Sequence, residues 1–284
     1  GAFFKSGTML SKLIIVNIAI WIAIGITKVF FHLLVLDTTW LQQLFAVPSN
    51  MDTFVLKPWS ALTYMFIHAN LWHLLFNMLM LYFGGRIFLE FLDEKKLLGT
   101  YIYGGIAGAL MYIIAFNVFP RFNDVVSFSI LVGASASVLA IVIAIAAYMP
   151  EYIVQLFLFG RVKLKHIAIV LIIIDVLSID KGNSGGHLAH LGGAMWGLLF
   201  ASYLKKGINL SKLPDFLKYI GKPKMQTKKH YHAPQKTKSD EEFNKRKKAQ
   251  QARIDNILDK ISRSGYESLT TEEKELLFDM SNRK

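Results

Sequence analysis

The chain has 284 residues, 53% of them hydrophobic, with a mean hydropathy of +0.38 and a formal net charge of +12. Its apolar residues gather in blocks approaching the roughly 20 that a helix needs to cross a bilayer, which excludes an ordinary soluble domain. The absence of cysteine excludes disulfides, thiolate metal sites and cysteine nucleophiles.

In chain order, six membrane spans are expected over residues 12–33, 62–83, 97–118, 134–148, 166–178 and 187–204. The first apolar run is too long for a cleaved signal and lacks a small-residue cleavage site. Between the first two spans, Leu34 to Pro58 contains Trp40 and Phe45, with Trp59 just beyond. Such aromatics suit an element lying in the membrane interface. The fourth span is short: Ser135 to Tyr148 rises only about 20 Å as a helix. Before it, Pro120 to Val132 shows no helical period and includes Arg121, Asn123 and Asp124. A helix that starts late puts its first turn below the membrane surface, where irregular backbone survives only in protein or beside a wet cavity. The fifth span is also short and ends near Asp175, Asp180 and Lys181.

Lys5, Lys12, Arg86, Lys95, Lys96, Arg161, Lys163, Lys165, Lys205 and Lys206 flank alternate span ends, against Lys28, Lys57, Arg121 and Lys181 on the other side. This bias puts both termini in the cytoplasm. The expected fold is therefore an all-α membrane protein, a six-helix bundle over residues 1–204. A basic linker follows over 205–248, then a small cytoplasmic helical hairpin over 249–284. From Lys205 onward 20 Lys/Arg stand against 11 Asp/Glu, a charge suited to anionic lipid or a protein partner. No base-reading motif accompanies it, so no nucleic-acid partner is expected. In the tail, Ile254, Ile257, Leu258 and Ile261 share a helix face. Ser264-Gly265 ends that helix, and Thr270-x-x-Glu273 opens another carrying Leu276, Leu277 and Phe278.

Polar residues at membrane depth are costly and need a reason. His68, His73 and Asn77 fall on the second span. His73 and Asn77 share a face one turn apart. The pair fits either donors to a developing oxyanion or interhelical hydrogen-bonding glue, and glue is the simpler reading of His68. Gly133-Ala134-Ser135 opens the fourth span, so the Ser135 N–H belongs to the unpaired first turn, where the helix dipole favours negative charge. Ser137, deeper in, reads as a serine bonded back to its own helix. Ala136, Ala140 and Ala144 form a bare stripe. On the sixth span His190, Gly193 and Gly197 share a face, and the glycines allow close approach to such a stripe. A serine needs a base to become a nucleophile, and a histidine near neutral pKa serves. His187 is expected at the solvated interface.

These motifs resemble the rhomboid family of intramembrane serine proteases. The likeness lies in His68-x4-His73-x3-Asn77, Gly133-x-Ser135 and Ala189-His190-x2-Gly193-x3-Gly197, in family order, over about residues 10–204. It implies an endopeptidase cutting transmembrane substrates within the bilayer through a Ser135–His190 dyad without an acid. The Ser135 N–H, His73 and Asn77 would form the oxyanion site, with His68, Gly133, Gly193 and Gly197 in support, and no metal or cofactor is implied. The fifth span would be a lateral gate. The alternative is an inactive rhomboid-like module that binds transmembrane clients. The tail resembles a domain appended to rhomboids in some bacteria, and localisation in the bacterial inner membrane is expected. Three positions depart from the family's habit: Ala136 for glycine, Leu139 for tyrosine, and Ser60 for arginine after tryptophan.

Overall fold

Capping side chains fix where several helices of the larger unit begin. A computed structural model describes residues 7–156, 160–212 and 255–274, and the chain divides into units 1–221 and 222–284. Helix α1 (Met9–Leu33) starts where Thr8 Oγ1 accepts the Ser11 N–H. Short elements follow: α2 (Thr39–Phe45), β1 (Val47–Pro48), α3 (Met51–Leu56), α4 (Ser60–Thr63) and a 3₁₀ turn Tyr64–Phe66. Asn70, in extended backbone, accepts the His73 N–H at 2.9 Å and opens α5 (Leu71–Phe91). Asp93 does the same for Lys96 and opens α6 (Glu94–Val118). After a 3₁₀ turn at Pro120–Phe122 come β2 (Ile130–Leu131), α7 (Ser135–Tyr148), β3 (Ile153–Leu156), β4 (Gly160–Lys163), α8 (Leu164–Leu177) and α9 (Ser184–Lys205).

The structure differs from the sequence reading at several points. The second span was expected over 62–83, but the long helix runs from Leu71 to Phe91. The apolar run after Ser60 folds as α4 and a 3₁₀ turn, and the long helix begins only after the Asn70 cap. The antiparallel hairpin β3–β4 was not foreseen. At its base Lys163 and Lys165 bond the Glu151 carboxylate and hold its pKa down to about 2.

Three helices, α1, α5 and α6, are long and apolar enough to cross a membrane, and α7 is a shorter apolar helix. Between Leu34 and Pro58 the helices have seven and six residues, too short to span, and expose Trp40, Val55 and Leu56. Helix α7 is the axis of the unit. From Ala136 to Ala146 every residue is buried, with α5, α6, α8 and α9 packed around it.

In an apolar solvent helices gain little from burying more apolar surface, so close van der Waals approach holds them together. Glycines provide that approach. A Cβ at Gly193 would stand 2.2 Å from the Ala136 carbonyl oxygen, and one at Gly197 would stand 2.5 Å from that of Ala140. From α6, Gly104 and Gly108 meet the Ala140 and Ala136 methyls in the same way. The alanine stripe thus has glycine neighbours on two sides. Asn17 on α1 donates to Tyr101 on α6, and the Tyr101 hydroxyl donates to the Met65 carbonyl. Ser137 does not bond back to its helix; its hydroxyl turns to the Met65 sulfur.

In the second unit, residues 255–264 are helical, Gly265 takes φ +75° and Tyr266–Ser268 form a 3₁₀ turn. The Thr270–Glu273 capping box is formed: the Thr270 N–H reaches the glutamate at 2.8 Å, and the Glu273 N–H returns to Thr270 Oγ1. Ile257 is buried and Leu258 exposed. Lys5, the basic stretch from 213 onward, Ile254, Leu276, Leu277 and Phe278 lie outside the described residues.

Helix contact through glycine has a direct test. Gly193→Ala forces α9 off α7 backbone and should cost about 1–3 kcal/mol, the usual penalty of overpacking. Gly25→Ala, with nothing within 4 Å of the new methyl, should cost nothing. Thermal midpoints in detergent compare them; equal midpoints would contradict the packing described.

Candidate functional site

The chain before α7 is irregular but tightly pinned. β1 pairs with β2, Val47 opposite Leu131 and Pro48 opposite Ile130. Ser49 Oγ donates towards the Val126 and Ser129 carbonyls, and Asn117 donates to the Ser49 carbonyl at 2.7 Å. This pinning delivers Gly133 at φ +126°, its N–H donating to the Tyr64 carbonyl. A side chain there would be strained and would also collide. Its Cβ would lie 2.7 Å from His73 Nε2 and 3.7 Å from Ser135 Oγ. The His73 ring occupies the place a side chain would take, beside the Ser135 hydroxyl.

Ser135 is the first residue of α7 and half-buried. Asn77 is buried, and one of its two amide hydrogens goes to the His73 carbonyl at 2.8 Å, leaving a second. His68 is buried, makes no side-chain hydrogen bond to another helix among the described residues, and stands with its ring edge-on to His73, centroids 5.3 Å apart.

On α9, His190 lies one turn before Gly193, whose contact with Ala136 sets it beside the start of α7. No hydrogen bond joins His190 to Ser135 among the described residues; both border one open cavity of about 970 Å³, with His73, Asn77 and Asp175. In unliganded active sites the nucleophile–base bond is often long and closes only around substrate.

A carboxylate stands beside His190, where the sequence placed none. Asp175 on α8 lies with Oδ1 2.7 Å from His190 Nδ1 and 2.8 Å from His187 Nδ1. It is only 7% exposed. A lone carboxylate on an apolar helix is driven to polar partners. That signal was in the sequence, but not the helix that would answer it. His187 is correspondingly half-buried rather than solvated. Asp175, His187 and His190 present three possible metal-ligand atoms within 4.8 Å of one another.

The cavity lies where α5, α7 and α9 begin, with Asn70, Ser135 and Asn183 all on its wall. Three helix N-termini, each with unpaired N–H groups and a positive dipole end, converge on it. Such a place stabilises negative charge.

A family model for the rhomboid domain matches residues 56–207, more than half of the chain. The chain belongs to the rhomboid family. Together with the long apolar helices, this makes it an integral membrane protein. A second model, a family of unknown function (DUF6576), matches residues 237–283. Among curated proteins none matches this rhomboid. Two of its departures have a structural setting. The Ala136 methyl packs where Gly108 leaves room, and Leu139 lines the cavity one turn below Ser135.

Gly133→Ala should lower stability by about 2–4 kcal/mol, combining backbone strain of about 1–3 kcal/mol with displacement of His73. Gly160→Ala, also at positive φ but in open space, should show the strain alone. Chemical or thermal denaturation checks the difference; equal losses would mean that His73 is not held against Gly133.

Proposed function

We propose that this rhomboid is an intramembrane serine endopeptidase. Ser135 attacks the scissile carbonyl of a transmembrane substrate, and His190 accepts the hydroxyl proton and passes it to the leaving amine. The Ser135 N–H, His73 and the free Asn77 hydrogen bind the oxyanion. The reading rests on one observation: Ser135, His190, His73 and Asn77 all border a single open cavity. The converging helix N-termini support the same chemistry, because an oxyanion there meets fixed donors and positive helix ends.

In this reading α1, α5, α6, α7, α8 and α9 are the six spans, with both termini in the cytoplasm. The bundle occupies residues 1–204, and the protein sits in a bacterial inner membrane. The Lys-rich linker 205–248 contacts anionic lipid or a protein partner, and 249–284 is an appended helical module. The second reading, a module that binds transmembrane clients without cutting them, draws on the missing Ser135–His190 hydrogen bond.

Purified protein in detergent or proteoliposomes, incubated with a model transmembrane substrate, should cut it. Ser135→Ala or His190→Ala should lower kcat by about a thousandfold or more, as loss of a nucleophile or base does elsewhere. Cleavage that persists in Ser135→Ala would remove Ser135 from the mechanism. Binding without cleavage by the wild type would favour the second reading.

A further inference from the structure

Helix α8 sends three residues inward, Leu164, Ala168 and Asp175, and the first two are explained by packing. Asp175 is not, because a carboxylate buried on an apolar helix is tolerated only with partners. Its partners are two imidazoles of α9, both presenting Nδ1 to the same oxygen.

We propose that Asp175 is a positioning residue for His190, so that the site works as Asp–His–Ser rather than as a histidine and serine alone. This rests on the proteolytic reading above. To take a proton from Ser135, His190 must keep a lone pair on Nε2, and its Nδ1 must therefore carry the hydrogen. A carboxylate accepting from Nδ1 selects that tautomer and fixes the plane of the ring. The residue one turn after Ser135 is Leu139, an aliphatic side chain that offers the imidazole no ring to stack on. His187, bonded to the same oxygen, keeps the carboxylate from turning away. During the reaction the positive charge on His190 lies 2.7 Å from Asp175 Oδ1, and Asp175 itself gains no proton.

Asp175→Asn removes the charge and places an amide where the Nδ1 hydrogen points. It should lower kcat a hundredfold or more while changing KM less than threefold. Asp175→Glu, which keeps a carboxylate, should recover at least tenfold of that loss. An independent readout needs no turnover: ¹⁵N-histidine NMR of the full chain carrying Ser135→Ala should find His190 protonated on Nδ1, and Asp175→Asn should shift it to the other tautomer. An Nε2-protonated His190 with Asp175 intact would overturn the proposal, whatever the variants do. So would Asp175→Asn cutting within threefold of wild type. Cleavage that ignores Ser135 but leaves the Nδ1 tautomer in place would instead count against the proteolytic reading, separating the two failures.

Discussion

The distance at which α9 can pass α7 is the constraint on which the rest of the site depends. Helices with ordinary side chains between them pack with their axes some 8–10 Å apart, and only glycine lets one backbone come nearer to the other. At Gly193 nothing stands between α9 and the Ala136 carbonyl, since even one methyl would come within 2.2 Å of it. His190, one turn earlier, is therefore carried to the first turn of α7. With α5, α6 and α8 also packed around it, every residue of α7 from Ala136 to Ala146 is buried.

A second constraint acts from the other side of Ser135. Backbone that is neither helix nor sheet cannot lie at membrane depth unless its polar groups are satisfied. The residues before Ser135 meet that requirement through β1–β2 pairing, Ser49 and Asn117. The loop between the first two long helices, which reads as an interfacial element, is thereby also a scaffold for the turn at Gly133. His73 fits that turn because glycine leaves the space empty. The serine end of the cavity is thus built from packing and backbone bonds, whereas Asp175 holds the histidine end by hydrogen bonds.

Much of this was legible in the residues. Glycines at His190+3 and His190+7 announce a close crossing, and a serine straight after Gly-Ala announces a helix start. A run of small residues on α7 names their neighbour. What could not be read was long-range. A carboxylate at the end of an apolar segment must find a partner, but spacing along the chain does not say which helix will provide it. Asp175 therefore reads as the end of a loosely anchored span with nothing to set it beside His190, and His187 reads as solvated. The second span was misplaced because counting apolar residues passes over Asn70, whose side chain decides where α5 begins. The partners of Ser49 lie 77 and 80 positions away, beyond any local pattern.

The central claim is that the Ser135 hydroxyl becomes a nucleophile because His190 faces the same cavity. A serine-directed fluorophosphonate probe, applied to the intact protein in detergent and followed by mass spectrometry of the labelled peptide, tests it most directly. Labelling should fall on Ser135 and drop by about a hundredfold or more in His190→Ala, the scale of a lost general base. Labelling at Ser135 that proceeds equally well without His190, or none at all in the wild type, would contradict the account.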